Sequence, residues 1–125
     1  MPRVIHFEFL SDDPEQTVKF FQDAFGWKTQ SWGGPVTYWL VDTGDGEVGI
    51  NGGVMRSSDF PHTQNALCTV DVEDIGDALA KVEAAGGKVI APERQVGEAG
   101  WSAYAADPQG VVFGLWKPAA AAASS

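Results

Sequence analysis

From residue 4 the chain alternates. Ile5, Phe7 and Phe9 fall on one side and His6, Glu8 and Leu10 on the other, the two-residue period of a strand over Val4–Leu10. The period then lengthens, with Thr17, Phe20, Phe21, Ala24 and Phe25 recurring at helical spacing. Asp13 is suited to cap that helix, Pro14 to open it, Gln16 to back-bond at the third position, and Gly26 to end it. Apolar runs predict three further strands at Trp27–Gln30, Val36–Val41 and Glu47–Met55, the last rich in glycine. The loop Ser31–Pro35 and the hairpin-type turn Thr43-Gly44-Asp45-Gly46 separate them. Arg56–Gln64 is polar, contains Pro61, and reads as the only linker, with His62 exposed in it.

The pattern then begins again. Ala66–Val72 alternates as a strand, Asp74 caps a helix bearing Ala78, Leu79, Val82 and Ala85, and Gly86-Gly87 stops it. Lys88–Ala91 reads as a strand, Pro92–Gly100 as a loop and Trp101–Ala106 as a strand. Asp107-Pro108-Gln109-Gly110 is turn chemistry, and it feeds a last strand over Val111–Trp116. There Val111, Phe113 and Leu115 face one way and Val112, Gly114 and Trp116 the other. Asp13 and Asp74, Gly26 and Gly87, and Gly53 and Gly114 are each 61 positions apart. A shared offset with matching element order marks an internal repeat. The fold reading is α+β, two βαβββ modules at 4–55 and 65–116 joined by a linker at 56–64, in one domain over 1–118. Residues 119–125 read as a disordered tail. A ferredoxin-like or other split βαβ arrangement is the competing topology.

Composition narrows the partners. The 125 residues are enough for one domain with a core. Eight basic and 17 acidic residues give a net charge of −9, which argues against nucleic acid and anionic membranes. No apolar run reaches the length of a membrane span, and the N-terminus lacks the pattern of a signal peptide, so a cytoplasmic protein is the expectation. The single cysteine, Cys68, lies in a strand pattern and reads as a buried thiol. Serine-nucleophile, phosphate-loop and dinucleotide signatures are missing.

Several motifs resemble one family. They are Val4-Ile5-His6-Phe7-Glu8-Phe9, Asp12-Asp13-Pro14-Glu15, Phe20-Phe21-Gln22-Asp23-Ala24-Phe25-Gly26-Trp27, Gly52-Gly53, the stretch from Val82 to Val89, and Asp107 to Trp116. The chain resembles the vicinal oxygen chelate superfamily of glyoxalase I, bleomycin-resistance proteins and extradiol dioxygenases. Within it, the resemblance is to the branch described as related to lactoylglutathione lyase. It implies curled mixed sheets around a cavity, a homodimer and a small-molecule ligand.

In metal-dependent relatives the resemblance implies His or Gln ligands on first strands and Glu on last strands. Here those positions carry His6, Leu67, Gly53 and Gly114, and three of the four have no donor atom. The expectation is no metal and no cofactor. His6 and Glu8 are the catalytic candidates, by proton transfer or as a partial ligand pair. Tyr38, Leu67, Trp101, Gly114 and Trp116 are the ligand-binding candidates, with a glycine beside Trp116 leaving room for a flat ligand. Gly97–Gly100 reads as a mobile flap. The functional expectation is metal-free binding of a small molecule in an aromatic cavity; the alternative is a lyase or dioxygenase-type enzyme of the same superfamily.

Overall fold

The computed structural model describes residues 1–34, 36–60 and 64–119. His62 and the tail beyond Ala119 lie outside the described residues. The elements are β1 (Val4–Ser11), α1 (Pro14–Phe25), β2 (Lys28–Ser31), β3 (Tyr38–Asp42) and β4 (Gly52–Arg56), then β5 (Ala66–Asp71), α2 (Ile75–Ala84), β6 (Lys88–Val96), β7 (Gly100–Ala106) and β8 (Val112–Pro118). The expected βαβββ order thus occurs twice. The chain forms two compact units. Ile5–Leu67 is the first, and Met1–Val4 with the chain from Cys68 onward is the second. The Asp71 amide donates to the Arg3 carbonyl at 2.9 Å, which ties the N-terminal residues to the second unit.

Each unit is built alike. In the first the strand order is β2-β3-β4-β1, with β1 parallel to β4 and the other pairs antiparallel. In the second it is β6-β7-β8-β5, with β5 parallel to β8. Each helix covers one face of its own sheet. Val18 of α1 packs on Val41 and Val54, with Phe7, Phe9, Trp27 and Trp39 around them. Ile75 of α2 packs on Ala103 and Leu115, with Trp101 and Phe113 beside them. The far face of each sheet, turned away from its own helix, carries the alternate residues. Both helix starts follow the repeat. The Asp13 carboxylate accepts from the Gln16 amide at 3.2 Å and the Asp74 carboxylate from the Asp77 amide at 2.8 Å. Gly26 ends α1 in the left-handed region at φ 72°, where a side chain would be strained.

Five local expectations differ. The buried stripe of α1 is Pro14, Val18 and, in part, Phe21, while Phe20 and Phe25 are 59% and 64% exposed. The sheet selects the face holding Val18, and the neighbouring rings stack among themselves, Phe21 lying 4.8 Å from Trp27. The glycine-rich strand is only Gly52–Arg56; before it, Thr43 is held by its amide to the Asn51 side chain at 2.9 Å and its hydroxyl to the Ile50 carbonyl at 2.7 Å. β6 runs through Pro92, because it is an edge strand whose register shifts on both sides of Ala91 let an imide sit outside the ladder. Gly97–Gly100 is therefore the tight β6–β7 turn rather than a flap, with Ala99 donating to Val96 at 3.0 Å and Ala119 donating to Ala99 at 2.9 Å. Cys68 is exposed, because on β5 it is Leu67 and Thr69 that turn inward. Among the described residues no helix is long and apolar enough to cross a membrane.

Candidate functional site

The far face of the first unit is assembled by register. Glu8 stands opposite Gly53 on the parallel β1–β4 pair, and Gly53 stands opposite Leu40 on β3. His6 and Glu8 share this face at i, i+2, and Tyr38 joins it two residues before Leu40. Tyr38 lies across Gly53: a Cβ there would collide with the phenol oxygen and ring. That close approach brings the Tyr38 hydroxyl to 2.9 Å from His6 Nε2. Gly53 is required here for want of a side chain, so that a phenol can cross the sheet.

Glu8 is 5% exposed, a carboxylate held inside the fold. Burial lowers the pKa of His6 below 6.5, and the Glu8 carboxylate pulls partly the other way. The imidazole is therefore neutral at pH 7. A neutral ring that donates its Nε2 proton to the phenol oxygen keeps a free lone pair on Nδ1 and leaves the phenol proton to donate elsewhere, and the opposite tautomer accepts the phenol proton at Nε2 and presents an Nδ1 proton. That is the hydrogen-bonding equipment of a binding site or of a general base.

The far face of the second unit follows the same plan with different residues. Thr69 stands opposite Gly114, and Gly114 opposite Tyr104. Thr69 is the counterpart of Glu8 by the 61-residue offset, and these are the two buried polar side chains among the described residues. The room expected beside Gly114 is filled: a Cβ there would lie 2.9 Å from the Thr69 hydroxyl and 3.4 Å from the Tyr104 ring. The cross-strand neighbours lean over the glycine, so the surface above it is made by Tyr104 and Thr69 rather than by bare backbone. Trp116 shares this far face and is half-buried. Leu67, the counterpart of His6, is buried at 4% exposure.

Trp101 is the site expectation the structure moves. It packs with Ala103 and Leu115 under α2, and Lys117 Nζ stands 5.5 Å over its ring. On β7 the odd positions face the helix and the even ones face away, so Ser102 and Tyr104 take the place expected of Trp101. The sequence alone does not single out Thr69, and it leaves open the face of Tyr104, one of the strand aromatics. Applying the offset to Glu8 reaches Thr69, but Tyr104 needs the β7–β8 register. A shallow groove of about 120 Å³ in the first unit, between Trp27 and Asp45, contains none of these residues.

The donor set for a divalent ion does not fit. Among the described residues no three His, Cys, Asp or Glu side chains converge. Gly53 and Gly114 offer no side-chain donor, and Nε2 of His6 is engaged by Tyr38.

Known proteins place the chain. It is 34% identical over 115 residues to CFP32, a candidate glyoxylase by name, in both Mycobacterium bovis and Mycobacterium tuberculosis. The match takes in 90% of this chain and 42% of each relative, so the chain spans less than half their length. The fold is shared with methylmalonyl-CoA epimerase from Mycobacterium tuberculosis at a TM-score of 0.72 and 13% identity, over 98% of this chain and 91% of that one. It is shared with a Streptomyces coelicolor methylmalonyl-CoA epimerase variant at 0.69 and 16%, over 94% and 98%. The Glyoxalase/Bleomycin resistance protein/Dioxygenase superfamily model matches residues 3–115, and the chain belongs to that superfamily.

Proposed function

We propose that this protein binds small molecules without a metal ion, using His6, Glu8 and Tyr38 on the far face of the first unit and, separately, Trp116 with Tyr104 on the far face of the second. The observation that carries the reading is the His6–Tyr38 hydrogen bond across Gly53. It engages one ring nitrogen of His6 with a phenol, and it does so at a position where β4 supplies no ligand of its own. The test is thermal melting with zinc, nickel, manganese and iron(II). Anything that binds only the folded state raises the melting temperature saturably. No such rise is expected; a saturable rise abolished by His6→Ala overturns the metal-free reading.

A second reading is favoured by the neutral, half-buried imidazole beside a buried carboxylate. In it His6 is a general base that removes a proton next to a carbonyl, and Tyr38 donates to the developing oxyanion. The fold relatives named for methylmalonyl-CoA suggest the probe. Methylmalonyl-CoA in deuterated buffer should exchange its α-proton, and His6→Gln should abolish the exchange. Exchange that persists in His6→Gln, or none with the native chain, leaves only the binding reading.

The same proposal includes a homodimer. Phe20 and Phe25 present an aromatic surface that a single chain leaves exposed. Light scattering should give twice 13.3 kDa, and a species of 13.3 kDa at micromolar concentration removes this part.

A further inference from the structure

The far face of the second unit carries one row of which the preceding reading uses only Trp116. Asp71 is paired with Trp116, Trp116 with Ser102, and Ser102 with Arg94, across β5, β8, β7 and β6. Residues paired in this way project from the same face. Successive strands are about 4.8 Å apart, so Arg94 stands about 10 Å from Trp116 with only the small Ser102 between them. Arginine is long enough to bring its guanidinium back over the serine. Arg94 is exposed and has no hydrogen-bond, ion-pair or ring partner among the described residues.

We propose that this row binds a planar ligand bearing an anionic oxygen group, a carboxylate or a phosphate. Trp116 lies against the flat part, the Ser102 hydroxyl donates to the anion, and Arg94 pairs with it in a two-pronged hydrogen bond. The proposal rests on Trp116 as a ligand contact and adds the class of ligand. Three features of the row support it. A guanidinium is planar, and its fork of donors matches two oxygens at once. The chain carries a net charge of −9, so an anion is repelled from most of its surface and needs a local cation. Asp71 closes the opposite end of the row with a negative charge, which disfavours an anion there and orients the ligand with its acidic group toward β6.

The experiment titrates the native chain with 2-naphthoate, 2-naphthyl phosphate and the neutral 2-naphthamide, read by calorimetry. At least one anion should bind about tenfold more tightly than the amide, the difference expected of one charge-assisted pair. Preference for naphthoate identifies a carboxylate ligand and preference for naphthyl phosphate a phosphoryl one; either supports the proposal. Arg94→Gln should bring the anions down to the amide, and Arg94→Lys should keep part of the difference. Trp116→Leu should weaken all three probes, and Asp71→Asn should tighten the anions alone. Equal affinity for the three probes, no saturable binding of either anion, or an anion preference that survives Arg94→Gln overturns the proposal. Binding lost in His6→Ala but indifferent to Arg94→Gln overturns it while leaving the His6 reading in place. Dependence on Arg94 together with a metal-induced rise in melting temperature does the reverse.

Discussion

The two units share a plan and differ in where they place polarity. In each, a buried polar side chain stands opposite a glycine: Glu8 beside Gly53 in the first, Thr69 beside Gly114 in the second. In each, a tyrosine from the adjoining hairpin strand leans over that glycine. Yet Glu8 is preceded by His6, which bonds to Tyr38, whereas Thr69 is preceded by Leu67, which is simply buried. The scaffold repeats while the imidazole–phenol pair stays in one half. A duplicated fold can thus keep a buried proton-transfer pair on one face and leave aromatic contact and exposed charge to the other. The repeat also slips where the hairpins meet the site. Leu40 pairs with Gly53 but Tyr104 pairs with Gly114, an offset of 64 rather than 61, so the two tyrosines reach their glycines from different places.

The largest expected effect tests how far the helix starts are equivalent. Ile75 and Pro14 are 61 positions apart, each is the first residue of its helix, and both are buried. Ile75→Ala removes a fully buried side chain that α2 sets on Ala103 and Leu115, and should cost about 2–5 kcal/mol in urea unfolding. Pro14→Ala removes less volume and mainly frees the unfolded chain, so about 1 kcal/mol is expected. Equal losses would mean that α1 depends on its first residue as α2 does, which would erase this difference between the units.

Much of this was legible in the sequence, for identifiable reasons. Asp13, Asp74 and Gly26 act through local hydrogen bonds and local backbone geometry, so cap and stop could be read residue by residue. The faces of β1 and β8 followed from simple alternation, which put His6 with Glu8 and Gly114 with Trp116. What could not be read was anything set by pairing between strands. Trp101 and Tyr104 both look like strand aromatics, and only the register against β8 separates a helix-side ring from a far-face ring. The same holds for Gly53 and Gly114. A glycine in a strand signals close approach, but whether a ligand or a neighbouring side chain makes it depends on Tyr38, Thr69 and Tyr104. Pro92 broke the strand pattern on paper because its place on an edge strand is a property of the sheet.

The glycines give the next test, smaller than the core substitution. Gly53→Ala pushes a methyl into the Tyr38 phenol, so the ring must swing off the sheet and the His6 bond must break. About 1–3 kcal/mol should be lost, together with a rise in the His6 pKa as water reaches the imidazole. Gly114→Ala meets the Thr69 hydroxyl at 2.9 Å and the Tyr104 ring at 3.4 Å, and a rotation of Thr69 relieves most of it. Less than about 1 kcal/mol is expected there. Paired melts and a histidine NMR titration decide the matter; a larger loss at Gly114 than at Gly53 would reverse the assignment of which tyrosine is held by its glycine.

The smallest effect is the pH dependence that only the first unit should confer through this site. The folded pKa of His6 lies below its unfolded value of 6.5, because burial disfavours the imidazolium. Above 6.5 both states are neutral and this group contributes no slope. Below it the unfolded chain takes up a proton that the folded chain resists, so stability falls as the pH drops from 6.5 toward the folded pKa and levels off beneath it. His6→Leu, which copies Leu67 into the first unit, should flatten that window in melts run from pH 7.5 to 5. Glu8→Gln acts in the opposite sense. Its carboxylate is the group that raises the His6 pKa against burial, so neutralising it should lower the pKa further and stretch the sensitive window toward acid. The imidazole proton shifts in the native and Glu8→Gln chains read this directly. A pKa that stays put or climbs would mean that Glu8 acts on His6 through packing rather than charge, and the polarity of the first unit would then rest on the His6–Tyr38 pair alone.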